Sequence, residues 1–327
     1  MFRTYLAVFS LALIVVACSD QSEPESLLTQ PPYNKITDSI RLEPRNADLY
    51  YRRGGLLYSN NQPGMAEQDL RTAWQLTPKE EYALSLTTVL RQKNTDSAIL
   101  FLQNALQKVP ASIALKIGLA RGYEQKGQYD KALSICDAIS AQYPTQLDAL
   151  ILKADILKDQ DKDQEALGAL EKAYSFAPFD KELAYNLAFE YAAADNPKAL
   201  TLSDSLIKTD STETAARAYY VKATYYNHTG NIPQAYRNYD LSIAQDYNFM
   251  DSYLDKGQLF YQQKKYGDAL KTFELALKVS PTTAEFYFWI GKTQEAMGNK
   301  ADAKLNYQRA YGLDKTMAEA KQAADRL

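Results

Sequence analysis

Few residues of this chain carry the chemistry of a reaction centre. The single histidine, His228, has no nucleophile motif beside it, and acid–base catalysis needs both partners within hydrogen-bond reach. Two cysteines, Cys18 and Cys136, are too few for a disulfide framework. Asp159, Asp161 and Asp163 alternate as calcium-loop ligands do, but the sixth position is Gln164 where glycine is required and the twelfth is Leu170 where glutamate is required. Asp148, Asp155 and Glu182 are acids from which a catalytic pair would have to be built, and nothing marks them. No glycine-rich phosphate loop follows a strand pattern. The residues therefore indicate no enzyme, no metal and no cofactor.

The elements that hold these side chains are legible in a repeat. From Met250 to Pro281, the residues Tyr253, Gly257, Phe260, Tyr266, Ala269, Phe273, Ala276 and Pro281 stand at steps of three to six. The stretch from Ala284 repeats Tyr287, Gly291, Gly298, Ala303, Tyr307 and Ala310, and that from Ala47 repeats Tyr50, Gly54, Ala66, Leu70, Ala73 and Pro78. The period is about 34 residues, the signature of stacked helical units. Worn copies lie between: Ala120, Tyr123, Gly127 and Ala132; Ala154, Leu157, Ala166 and Ala173; and Ala188, Tyr191, Ala199, Ala223, Tyr226 and Ala235. Residues 79–110 form a shorter step with Tyr82, Ala98, Leu102 and Ala105. Steps of three and four give each helix one apolar stripe. Small residues at the eighth and twentieth positions allow close approach, and Pro44, Pro78, Pro110, Pro144, Pro178 and Pro281 stop the second helices. In this register Cys136 occupies the place of Leu70, Leu170, Tyr239, Phe273 and Tyr307, a buried packing position.

This pattern resembles the tetratricopeptide repeat (TPR) family at every marker of the Met250–Pro281 copy. The resemblance implies an all-α, right-handed superhelical solenoid of helix-turn-helix hairpins: a half repeat over 33–46, eight repeats over 47–316 and a capping helix over 317–327. Lys315, Glu319, Lys321, Asp325 and Arg326 suit such a cap. It also implies a concave groove lined by the first helix of each hairpin. The lining positions carry Tyr51, Tyr58, Ile117, Ile151, Tyr185, Phe189, Tyr220, Leu254, Tyr261 and Phe288, with Ala83 at the remaining fifth position. None of the fifth positions is charged. Two uses are open to these aromatics: a trough for an extended or helical peptide, or packing against their own neighbours. Some TPR domains clamp a C-terminal carboxylate with basic residues of consecutive repeats. Here Arg52, Arg121, Asn186, Arg217 and Lys292 are scattered over distant repeats, so that use is not implied.

The N-terminus reads as an address. Arg3 precedes an apolar run from Tyr5 to Ala17, too short to span a bilayer. Val15-Val16-Ala17-Cys18 resembles the lipobox of bacterial lipoproteins, which implies a signal peptide over 1–17 and lipidation of Cys18. Several acyl chains, at about 0.8 kcal/mol per buried methylene, anchor firmly. Residues 18–32 then form a polar tether, with order expected from Pro31 or Tyr33. Ser19, rather than aspartate, after Cys18 implies the outer membrane. Cys18-Ser19-Asp20 is similar to the surface-export signal of Bacteroidetes lipoproteins, so the resemblance as a whole is to a TPR lipoprotein of a Bacteroidetes-type Gram-negative envelope. The Asp-Ser-X triplets at Ser39, Ser97, Ser205 and Ser211 resemble the O-glycosylation motif of such proteins, with Ser39 expected to be buried.

Composition narrows the partner. The formal charge of −3 becomes −4 once residues 1–17, whose only charge is Arg3, are removed, which is no electrostatic footprint for nucleic acid. Tyrosine numbers 25 against 11 phenylalanines, an aromatic supply suited to contact surfaces. The expected function is a lipid-anchored, non-catalytic scaffold that binds envelope proteins through its groove in assembly or secretion, with membrane contact through the anchor only. The alternative is a lipoprotein that binds glycans or small ligands beside an outer-membrane transporter.

Overall fold

A computed structural model describes residues 27–209 and 212–327. The expected signal peptide, Cys18 and Ser211 lie outside the described residues. The chain divides into two compact units, one ending at Ala132 and one beginning at Leu133.

All regular structure among the described residues is helical. The first unit holds α1 (Asn34–Leu42), α2 (Ala47–Ser59), α3 (Pro63–Leu76), α4 (Glu80–Lys93), α5 (Thr95–Lys108) and α6 (Ile113–Gln125). Helix α7 (Tyr129–Gln142) runs into the second unit, which continues with α8 (Leu147–Lys158), α9 (Asp163–Phe176), α10 (Lys181–Ala193) and α11 (Lys198–Thr209). There follow α12 (Thr212–His228), α13 (Ile232–Gln245), α14 (Met250–Gln262), α15 (Tyr266–Val279), α16 (Ala284–Ala296), α17 (Lys300–Leu313) and α18 (Ala318–Arg326).

Local chemistry sets the helix limits. Asn46, Asn94, Ser112 and Asp180 cap α2, α5, α6 and α10 by accepting from backbone N–H groups of the first turn. Each of the six prolines singled out in the sequence stands just past a helix end, where its missing N–H costs nothing. The turns inside the hairpins, apart from the single extended residue Asn94 between α4 and α5, place one residue in the left-handed region. Gly127, Gly230 and Gly298 fill it at three of them, while Asn61, Asp161, Asp195 and Lys264 take it in others. Asp159 and Asp161 thus belong to a hairpin turn, and Asp163 opens α9.

Packing follows the small residues. Within the first unit α2 packs on α3 and α4 on α5, and each second helix packs on the next first helix; the second unit repeats this from α8 to α18. Ala66, Ala98, Ala132, Ala166, Ala235, Ala269 and Ala303 are all buried at the fourth position of their helices, and Ala199 is buried at the second position of α11, where any larger side chain would hold the partner helix away. Cys136 is fully buried, as its position in the repeat requires. In the first unit Tyr33, Leu57, Leu70, Leu86 and Leu90 form one core, and Leu27 and Leu28, in the stretch expected as tether, pack against it. Arg53, Asp69 and Thr37 are buried beside that core. Arg53 donates two hydrogen bonds to the Asp69 carboxylate (2.6 and 2.8 Å) and one to Thr37 Oγ1 (3.1 Å), tying α1, α2 and α3 together. Ser39 is half-buried rather than buried, and its hydroxyl donates to the Lys35 carbonyl.

Candidate protein-binding groove

First helices of successive hairpins also touch one another, α2 with α4 and α4 with α6 in the first unit, α10 with α12 and α14 with α16 in the second. Their outward positions therefore lie side by side. Helix α10 shows how the sequence arranges this. Leu183, Ala184, Leu187, Ala188 and Tyr191 turn inward and are buried, which leaves Tyr185 and Phe189, four residues apart, on one outer face. Their rings stack at 6.4 Å, and Phe189 in turn lies nearly parallel to Tyr220 of α12 at 6.1 Å and 11°. Phe249 closes edge-on against Tyr220 at 5.3 Å.

Tyr185, Phe189 and Tyr220, together with Ile151 of α8, line one cleft of about 390 Å³, with Asp155, Lys158, Asn186, Glu190 and Asp251 also on its wall. The structure thus brings four of the ten expected groove residues to a single cavity. Its polar groups are heavily engaged. Arg217 donates to both oxygens of Glu182 at 2.6 Å and stacks its guanidinium 3.7 Å from the centre of the Tyr185 ring. Lys158 pairs with Glu190. Tyr220 donates its hydroxyl to Asp255 Oδ2 at 2.8 Å.

The charges respond to this setting. Hydrogen bonding from Arg217 holds the Glu182 carboxyl below the usual range. Burial pushes Asp255 up and the charge of Asp251 adds to it, against the pull of the Tyr220 hydrogen bond and His228. Burial, then Asp251 and Asp255, also raise Glu285. Both tyrosines of the wall are raised chiefly by burial and stay protonated at neutral pH.

A second cleft, of about 610 Å³, lies toward the end of the chain and is lined by Tyr261, Phe288, Lys292, Glu295, Tyr307 and Arg326 among others. Phe288 departs from the expectation of an open groove position. It is only 8% exposed, in a cluster with Tyr307 and with Ala320 and Ala324 of α18. Arg326 of α18 donates to Glu295, which also accepts from the Tyr307 hydroxyl. Tyr261 packs edge-on to Trp289 at 5.7 Å, and Leu254 sits against the core around Phe273. Lys292 stands over the Trp289 ring at 4.6 Å, so its charge is committed locally.

In the first unit the three expected groove residues differ among themselves. Tyr51 is half-buried, its ring tilted against Tyr82 at 4.8 Å, which is the packing use left open above. Tyr58 is 36% exposed and Ile117 is half-buried on α6.

Sequence reasoning missed Asp251, Asp255, Trp289 and the Arg217–Glu182 pair. A usable signal was present. Glu182 and Arg217 are 35 positions apart, as are Tyr220 and Asp255, one period plus one step along adjacent first helices. Complementary polar residues at that offset mark contacts between neighbouring repeats.

Comparison with known proteins gives a consistent picture. Family models described as "Tetratricopeptide repeat" match residues 89–156 and 284–317, and one described as "TPR repeat" matches 257–298. No curated protein sequence matches the chain. Among solved structures, a tetratricopeptide repeat protein from Parabacteroides merdae is similar in fold, with a TM-score of 0.58 at 20% identity over 75% of this chain and 97% of that one. PilW, described as a widely conserved type IV pilus biogenesis factor, superposes with a TM-score of 0.50 at 18% identity over 64% of this chain and 96% of that one.

Proposed function

Since this chain is a tetratricopeptide-repeat protein, a fold that typically mediates protein–protein interaction, we propose that it is a non-catalytic, lipid-anchored scaffold of the cell envelope that binds partner proteins through its first-helix groove. The observation that carries this reading is the cleft of the second unit, where Ile151, Tyr185, Phe189 and Tyr220 come from three helices to one wall. Rigid aromatic rings held by their neighbours lose little entropy on contact, which favours a binding surface. A glycan ligand ranks second, because Tyr185 already gives a face to Arg217 and Phe189 stacks with both tyrosines.

The test is crosslinking in living cells from a photoreactive residue at Asn186, which is exposed on the cleft wall, against a control at the exposed Glu274 of α15. A specific envelope protein captured from position 186 alone supports the groove; capture of nothing, or equal capture at both positions, overturns it.

The anchor is proposed from the Val15-Val16-Ala17-Cys18 run and the placement in the outer membrane from Ser19. Metabolic labelling with an alkynyl fatty acid is expected to mark the wild-type protein and to be lost in Cys18→Ser. Label retained in that variant refutes lipidation at Cys18, and sedimentation with inner-membrane fractions refutes the placement.

A further inference from the structure

The charges around the cleft do not balance. The lysine on its wall, Lys158, is already used by Glu190, and Arg217, which stacks on the wall residue Tyr185, is used by Glu182. Asp251 stands on the cleft wall, Asp255 accepts from the wall residue Tyr220, and Glu285 lies within electrostatic reach of both. Among the described residues no lysine or arginine forms an ion pair with these three acids, while the cations nearest the cleft are committed elsewhere. Desolvation first, and then the charge of neighbouring acids, raises the carboxyls of Asp255 and Glu285. They are not gathered closely enough for a metal: among the described residues no group of three such side chains could hold one. An extended set of acids beside stacked rings is complementary to a chain that carries its positive charges on long apolar stems.

We propose that this cleft receives a basic segment of a partner protein, with a lysine or arginine stem laid along the apolar wall that Ile151, Tyr185, Phe189 and Tyr220 share and its charged head among Asp251, Asp255 and Glu285. The aromatic wall supplies apolar contact for the stem, and the acids select against neutral or acidic segments by leaving their own charge uncompensated. This proposal rests on the groove reading given above and specifies the chemistry of its partner.

The probes are short fluorescent peptides of one apolar pattern that carry lysine, glutamine or glutamate at the variable positions, titrated against the full chain by fluorescence anisotropy. The lysine peptide is expected to bind and to weaken as salt is raised. Asp251→Asn with Asp255→Asn is expected to reduce its affinity about tenfold. Asp251→Lys is expected to reduce it further and to admit the glutamate peptide, while Glu274→Gln leaves all three unchanged. Asparagine keeps an acceptor for Tyr220, and circular dichroism with a thermal melt verifies that each variant is folded. Equal binding of the three peptides, no binding of any, or undiminished binding of the lysine peptide by the acid-neutralised variant overturns the proposal. Capture of a partner from position 186 then leaves the groove reading standing, so the two failures are distinguishable.

Discussion

Gly257→Ala tests whether close approach of paired helices sets the geometry of the repeat. A Cβ built on Gly257 would lie 2.3, 2.5 and 2.8 Å from three carbons of the Phe273 ring, against an ordinary carbon–carbon contact of about 3.5–4.0 Å. The ring has nowhere to go. Phe273 is fully buried and flanked by Phe286 and Trp289 at 6.4 and 6.1 Å. Overpacking a dense core costs about 1–3 kcal/mol, and a clash this deep belongs at the upper end. Alanine returns about 1 kcal/mol of helix propensity, so the net loss is about 2 kcal/mol. For a unit of this size that lowers the melting temperature by roughly 4–8 °C. Because repeat arrays are coupled mainly to their neighbours, hydrogen exchange should quicken first in α14 and α15. Gly168→Ala is the control, since nothing lies within 4 Å of its built Cβ, and it is expected to gain about 0.5–1 kcal/mol. If Gly257→Ala melts at or above wild type, or behaves like the control, the packing argument is refuted.

Arg53→Met strands the buried Asp69 carboxylate and is expected to destabilise the first unit by about 3–5 kcal/mol, whereas Arg53→Met with Asp69→Leu recovers most of that loss; urea unfolding of both variants checks it. Lys264→Gly replaces a side chain held at φ 57° in a turn where Gly127, Gly230 and Gly298 serve other hairpins, and a gain of about 1 kcal/mol in a thermal melt is expected. Asp251→Asn is expected to raise stability at neutral pH by about 0.5 kcal/mol through relief of like-charge repulsion. The folded carboxyls of Asp255 and Glu285 are raised, so their penalty is present above those values and fades as pH falls through them; the gain from Asp251→Asn should fade likewise in melts taken toward acid. The Glu182 carboxyl is depressed, so its pairing with Arg217 stabilises above the unfolded value of 4.5 and is lost as pH falls through the folded value. Wild type and Glu182→Gln should therefore converge in acid.

The helices were legible because they are local. The spacing of Tyr253, Gly257, Ala269 and Phe273 encodes which faces meet inside a hairpin, and the prolines encode where the second helices stop. The buried alanine of each repeat could be read from a single register. What stayed hidden depends on neighbours outside the pattern. Leu27 and Leu28 sit in a stretch whose composition reads as tether, yet the core around Tyr33 and Leu57 offers them cover. Nothing in the sequence marks Arg53 and Asp69, because burial of an ion pair is decided by α1 closing over it. Phe288 occupies a groove position by count, but α18 packs onto it.

The same neighbour effects decide what the groove can recognise. Had the tyrosines stood free, their number alone would have made the surface broadly adhesive, with hydroxyls and ring faces open to many partners. Instead Tyr185 is held by Arg217, and the Tyr220 hydroxyl is given to Asp255. These contacts fix the rings and withdraw most of their polar capacity from solution. The apolar surface of the wall and the acids that lack a lysine or arginine partner then remain as the groups that can distinguish one segment from another. Apolar contact favours many chains roughly alike, whereas an acid left without a counter-charge penalises every segment that fails to bring one. Selectivity in this cleft therefore resides in Asp251, Asp255 and Glu285 more than in the aromatic wall, and the stability lost to their mutual repulsion is the cost of keeping them unpaired in the absence of a partner.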